Sequence, residues 1–157
     1  PNSQFIGYDF HAGSIDQAQA HAQTHNLSNV RFEIGTAKEY PGRDFDLVTF
    51  FDCLHDMGDP KGAAAHVRQS LKPDGTWMIV EPMAADKMED NMHPIGRIFY
   101  AASTLVCVPT SLAQEVGTAL GAQAGEAKLR EVIGDGGFGN IRRASETPFN
   151  MVLEARA

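Results

Sequence analysis

His55 and Asp56 are the first candidates for chemistry in this sequence. An imidazole beside a carboxylate can take up and release a proton near neutral pH, the task of a general acid or base. They lie in Phe51-Asp52-Cys53-Leu54-His55-Asp56-Met57, directly after the most apolar run of the chain. Taken alone, the pair reads more readily as a packed, hydrogen-bonded histidine and a turn aspartate. Asp9 closes a second apolar run, Phe5-Ile6-Gly7-Tyr8. A carboxylate at the end of a strand can accept both hydroxyls of a ribose, or it can be a solvated loop residue or a cap for a following helix.

Other reactive residue types point elsewhere. His21 and His25 have the i, i+4 spacing that could share a metal on a helix. No H-E-x-x-H or paired C-x-x-C accompanies them, and Gln17, Gln23 and Thr24 make that face polar, so they read as solvated and no metal is expected. Cys53 and Cys107 lack a nucleophile motif and read as buried thiols. Ser14 and Ser111 lack the G-x-S-x-G setting of a hydrolase elbow. Gly134 to Gly139 (GDGGFG) follows a helix rather than a strand, so it reads as a helix stop and turn, not a phosphate loop.

The elements that must position these residues alternate, which predicts an α/β fold. Residues 5–8 form a short strand. A helix follows with Ser14 and Gln17 at capping-box spacing, an apolar face of Ile15, Ala18 and Ala22, and a stop near Asn26. Val30 to Ile34 alternates like a strand. Phe45 to Phe51 is apolar apart from Asp46 and Thr49, the pattern of a strand covered on both faces in a parallel sheet. Asp59-Pro60 supplies an N-cap and a first-position proline for a helix whose stripe is Ala63, Ala64, Val67 and Leu71. Lys72-Pro73-Asp74-Gly75 is a turn, and Thr76 to Val80 is the next strand, with Glu81 at its carboxyl end. Beyond Pro82 the pattern is irregular to about residue 124, with helices expected over 97–106 and 111–120. An insertion of this length suits a lid or binding segment. A helix over 125–133 and two strands, 141–146 and 150–155, complete the chain. The short Thr147-Pro148 link predicts an antiparallel pair.

The 157 residues fit one domain, and 43% hydrophobic with 21% charged residues is a globular balance. A net charge of −7 argues against a nucleic-acid-binding face. The longest apolar run falls well short of the ~20 residues of a membrane helix, and no signal peptide is visible, so no membrane role is expected. Two cysteines make no disulfide framework, which suits a reducing, cytoplasmic setting.

In order, FIGYD, a capped helix, VRFEIGTAKEY, FDLVTFFDCLHDMGDP, LKPDGTWMIVEP and a GGF before the last two strands resemble S-adenosylmethionine-dependent methyltransferases of the Rossmann-like fold. The resemblance covers most of the chain. HPIGRIFYAASTLVCVP and SLAQEVGTALGAQAGEA resemble a bacterial subgroup that often carries an upstream winged-helix segment. The resemblance implies a mostly parallel sheet with an antiparallel C-terminal pair, and S-adenosyl-L-methionine as cofactor. It implies that Asp9 binds the cofactor ribose and that Thr36, Ala37 and Lys38 frame the adenine. The family often has an aspartate where Thr36 stands. Phe51, Asp52 and His55 fall beside the methionine part of the cofactor.

Residues 83–124 correspond to the family's helical lid, which implies His93, Arg97, Tyr100 and Thr104 as acceptor-lining residues. The family's first strand and its glycine-rich loop would precede residue 1, so the chain is expected to be a C-terminal fragment of a truncated methyltransferase domain. The strand that would lie between this chain's first and third strands is then missing, and strand exchange in a homodimer becomes an expectation. The implied reaction is methyl transfer to a small, partly apolar acceptor, with His55 as base and Asp56 orienting it. The competing expectation is a non-catalytic α/β ligand-sensing or oligomerisation module with a degenerate cofactor site.

Overall fold

The computed structural model describes residues 2–156, which divide into two compact units with the boundary between Gly42 and Arg43. In the first unit, β1 (Phe5–Asp9) and β2 (Val30–Ile34) form a parallel pair in which Phe5 faces Val30 and Asp9 faces Ile34. The connecting helix α1 (Ala12–Thr24) buries Ile15 and Ala22. Its N-cap is His11, not the expected Ser14: the His11 Nδ1 accepts the Ser14 amide at 3.2 Å. An imidazole nitrogen satisfies the open first turn as a hydroxyl would, so the helix starts earlier than the capping-box spacing suggested. Asn26, at φ 54°, ends the helix region as expected. Gly7 leaves room for the Phe32 ring, since a Cβ there would lie 2.5 Å from it.

The second unit is a four-stranded sheet in the order β3-β4-β6-β5. Its strands are β3 (Phe45–Phe51), β4 (Leu71–Pro82), β5 (Asn140–Glu146) and β6 (Asn150–Arg156). β3 and β4 are parallel, and β6 runs antiparallel to both β4 and β5, the predicted C-terminal pair. Among the described residues no ladder joins β1 to β3, which belong to separate sheets.

Helix α2 (Pro60–Ser70) begins as predicted, with the Asp59 carboxylate accepting the Gly62 amide at 2.8 Å. Its Ala63, Ala64 and Val67 are fully buried. They join Trp77 and Ile79 of β4, Met151 and Leu153 of β6, and Leu129, Val132 and Ile133 of α5 (Gly125–Asp135) in the core. Trp77 meets Phe50 edge-on at 5.1 Å and Phe138 at 5.3 Å. The GDGGFG run stops α5 as expected, with Gly137 at φ 102°. Gly136 also lets the helix end press on α2, because a Cβ there would lie 2.4 Å from the Ala64 Cβ.

Three sequence expectations are corrected. β3 is not covered on both faces: Leu47, Thr49 and Phe51, which alternate onto one face, are exposed, and Phe50 on the opposite face is buried. The Lys72-Pro73-Asp74-Gly75 turn does not separate helix from strand but bulges out within β4, where Phe45 pairs with Leu71 and Leu47 already pairs with Thr76. The helix expected over 111–120 is absent. Instead α3 (Pro94–Ala102), a π-helical turn (Ser103–Cys107) and α4 (Val108–Leu112) run on as one rod. Pro109 explains the widened turn: it has no N–H for the Leu105 carbonyl, and its ring crowds that turn. After Leu112 the left-handed backbone of Val116, Gly117, Ala119 and Gly121 excludes a helix. By length and composition alone, Pro94–Leu112 is long and apolar enough to cross a membrane, a length that the interrupted apolar pattern of the sequence did not show. Ile98, Leu105, Val106 and Leu112 along it are exposed.

Candidate active site

Strand periodicity builds the site. Trp77, Ile79 and Glu81 alternate with their neighbours on β4 and all face the core, which puts a carboxylate where water cannot reach it. A buried carboxylate must be paired. Glu81 Oε1 accepts the Leu54 amide at 2.9 Å, and Oε2 lies 2.5 Å from His55 Nδ1. Leu54–Asp56 is a single 3-10 turn directly after β3, and it presents both groups to the neighbouring strand end. His55 is only 4% exposed, and its Nε2 lies 3.1 Å from Asp56 Oδ1. The structure therefore joins the two predicted residues and adds a third: Glu81 holds Nδ1, while Asp56 faces the other nitrogen. Burial pulls the His55 pKa down, but the Glu81 hydrogen bond and charge, with Asp56 and Asp52, outweigh it and leave it raised.

The thiols are inert as nucleophiles. Burial first, then the charge of Glu81, pushes the half-buried Cys53 up to about 12. Burial and a hydrogen bond to Asp56 raise the buried Cys107 to about 11.

The end of α4 and the segment after it grip this turn through its backbone. The carbonyls of four successive residues, His55 to Gly58, each accept a hydrogen bond from them. The donors, in order, are Gly121 N at 3.2 Å, Gln114 Nε2 at 2.9 Å, Ser111 Oγ at 2.8 Å and Thr118 N at 2.8 Å. Gln114 Oε1 also accepts the Gly58 amide at 3.0 Å. Position 58 has to be glycine for this fit, since a Cβ there would lie 2.5 Å from the Glu115 carbonyl. The sequence already marks Glu81 by its place at the carboxyl end of β4, though not its pairing with His55. The Gln114 and Ser111 contacts, more than 50 residues away, left no signal in the sequence.

The other predicted residues are placed as follows. Asp9 ends β1 within the first unit, and its Oδ1 accepts the His11 amide at 2.7 Å. Thr36 and Ala37 open the turn after β2, with Glu39 N donating to Thr36 O. In the second unit, Phe51 is exposed at the end of β3. Asp52 follows at φ 47°, a strained conformation of the kind stored at functional sites, and accepts from Asn150 Nδ2 at 3.0 Å. His93 is the N-cap of α3, its Nδ1 accepting the Gly96 amide. Arg97, Tyr100 and Thr104 follow at i, i+3 and i+7 on one helix face, where Arg97 and Thr104 are exposed and Thr104 donates to the Tyr100 carbonyl. A cavity of about 500 Å³ lies instead against Asp86, Lys87, Asp90, Glu126, Arg130 and Arg143. None of the predicted residues lines it.

Comparison with known proteins decides the family. Residues 1–131 match the family model described as a methyltransferase domain. The chain belongs to the S-adenosylmethionine-dependent methyltransferase family. This methyltransferase chain is 34% identical over 83 residues to the uncharacterized methyltransferase YcgJ of Bacillus subtilis, a match covering 52% of the chain and 33% of that protein. The crystal structure of YcgJ superimposes with a TM-score of 0.66 at 20% identity, over 91% of this chain and 55% of YcgJ. Human N-acetylserotonin methyltransferase, solved with S-adenosylmethionine, gives 0.70 at 18% identity, over 98% of this chain and 40% of that protein. The O-methyltransferase NcsB1 of neocarzinostatin biosynthesis, solved with S-adenosylhomocysteine and 1,4-dihydroxy-2-naphthoic acid, gives 0.70 at 14% identity, over 98% and 42%. The methyltransferase chain thus spans about half, or less, of the length of these proteins, and the structural likenesses establish its Rossmann-like methyltransferase fold.

Proposed function

We propose that the protein transfers a methyl group from S-adenosylmethionine to a hydroxyl of a small, partly apolar acceptor, with His55 as the general base. The observation that carries this reading is the buried Glu81–His55 pair. A carboxylate on Nδ1 fixes the ring and leaves Nε2, which faces the partly exposed Asp56, as the nitrogen that can take a proton. The names of NcsB1 and its like support an oxygen acceptor.

Taken unit by unit, the residues present suit separate parts of the cofactor. Asp9 closes β1 with one oxygen engaged by its own loop, so the second can meet a ribose hydroxyl. Phe51, exposed and aromatic at the end of β3, and Asp52, held by Asn150, suit the amino-acid side, and Thr36 and Ala37 the adenine. When bound, S-adenosylmethionine supplies a methyl group on a positively charged sulfur that leaves as a neutral thioether. The chain's own contribution is alignment and proton transfer. With the cofactor bound, an acceptor hydroxyl would displace the partly exposed Asp56 side chain from Nε2 and pass its proton to that nitrogen. Glu81 stabilises the resulting imidazolium. The lid, with Arg97, Tyr100 and Thr104, covers the acceptor.

Calorimetric titration with S-adenosylhomocysteine, and transfer of labelled methyl to small hydroxylated aromatics by the full-length protein, test this. Asp9→Ala should abolish cofactor binding. His55→Ala should lower turnover by about 10²–10⁴ with cofactor affinity unchanged. Unchanged turnover in His55→Ala would overturn the assignment. A second reading, a ligand-sensing module, is favoured by the engagement of both His55 nitrogens in internal pairs. Cofactor binding with no methyl consumed by any acceptor would support it.

A further inference from the structure

We infer that His55, Asp56 and Cys107 form a binding site for a single divalent cation of the zinc class. This stands on geometry and does not depend on the proposed methyl transfer. One nitrogen, one carboxylate oxygen and one sulfur from these residues all lie within 4.8 Å of one another. Tetrahedral zinc, with bonds of about 2.0–2.3 Å, wants its ligand atoms roughly 3.2–3.8 Å apart. His55 Nε2 and Asp56 Oδ1, at 3.1 Å, already meet that spacing closely.

Three independent features point to a cation. Asp56 Oδ1 is occluded from solvent and makes no hydrogen bond of good geometry, although His55 Nε2 lies 3.1 Å away, so it is an acceptor that a cation between the two would satisfy. Glu81 occupies the opposite nitrogen of His55, the carboxylate–histidine arrangement that fixes the tautomer of a metal-binding imidazole and sharpens its basicity. Finally, the π-helical turn at Ser103–Cys107 carries Cys107 to the site at its last position, and such turns recur at functional sites. The mixed nitrogen, oxygen and sulfur set suits zinc and disfavours magnesium or calcium, which take oxygen alone. Three protein ligands leave a fourth position for water or an acceptor oxygen.

Binding forms a metal–sulfur bond and releases the Cys107 thiol proton to solvent. It also consumes the Nε2 lone pair. Metal and base function are therefore mutually exclusive at His55, and the cation would act as an inhibitor of any proton abstraction there.

The test is a titration of the chain with Co²⁺ under reducing conditions, in a His21→Ala/His25→Ala background that removes the exposed histidine pair. The expected result is saturation at a single equivalent, with a thiolate-to-cobalt charge-transfer band in the near ultraviolet, reversed by Zn²⁺. Cys107→Ser should remove the band and Cys53→Ser should retain it. Glu81→Gln should weaken binding by roughly 10–100-fold. Asp56→Asn, at the most exposed of the three ligands, gives a second variant should Cys107→Ser fail to fold, and should weaken binding while keeping the band at high cobalt. Absence of the band, its survival in Cys107→Ser, its loss in Cys53→Ser, or unweakened binding in Asp56→Asn would each overturn the site.

Discussion

Gln114 holds the two successive peptides that flank Met57: its Oε1 accepts the Gly58 amide at 3.0 Å, and its Nε2 donates to the Asp56 carbonyl at 2.9 Å. An exposed side chain just after α4 thereby fastens the turn that carries His55.

Replacing Gln114 by alanine removes two hydrogen bonds to this turn and a third to the Thr110 carbonyl, each with a net contribution of about 0.5–1.5 kcal/mol. The expected loss is about 1.5–4.5 kcal/mol in urea denaturation. Amide exchange at Gly58 should accelerate beyond that of the β4–β6 core. Unchanged Gly58 protection would show that Ser111 and Thr118 hold the loop without it.

Glu81 satisfies the Leu54 amide and the His55 ring at once. Glu81→Ala leaves both donors buried without a partner, and should destabilise by about 3–5 kcal/mol, as for breaking a buried ion pair. Glu81→Gln keeps an acceptor for the amide and should cost clearly less. Equal costs would mean that the hydrogen bond to His55 carries all of the effect.

Glu126 links α5 to β5 through Arg130 and Arg143. Burial pushes its pKa up, but the two guanidinium groups outweigh this and hold it below the ordinary 4.5. Because the folded value is depressed, the contribution to stability is present above pH 4.5 and is lost as pH falls through the lower folded value. Thermal melts of the wild type should fall more steeply below that pH than those of Glu126→Gln. Added salt should narrow the difference. Parallel curves would remove Glu126 from the acid response.

The glycines of GDGGFG should separate by packing. Gly136→Ala drives a methyl against Ala64 and should cost about 1–3 kcal/mol, the range for overpacking. Gly134→Ala meets nothing within 4 Å inside α5 and should stabilise by up to about 1 kcal/mol. Chemical denaturation of the two variants checks both signs. Equal effects would show that helix propensity, not the α2 contact, governs this turn.

Much of the fold was legible because its determinants are local. Asp59-Pro60 caps and starts α2 within four residues, and the period-2 runs at Val30–Ile34 and Asn150–Arg156 became strands. The short Thr147-Pro148 link made an antiparallel pair, since no crossover fits there. Local pattern misled where a distant group decided the outcome. His11 took the cap from Ser14 through its ring, and the 113–124 segment gave up helix for a backbone path whose amides meet the carbonyls of His55 and Gly58.

The site divides along the same line. His55 and Asp56 are neighbours in the chain, so their pairing was written in the sequence. Glu81, Cys107 and Gln114 reach them only because β3 and β4 pair in parallel and the lid rod folds back over the turn. Sequence alone determined which residues could carry protons, because that depends on side-chain type. Tertiary structure decided that the histidine is buried between two carboxylates, because distance and desolvation, not residue type, set which charge is felt.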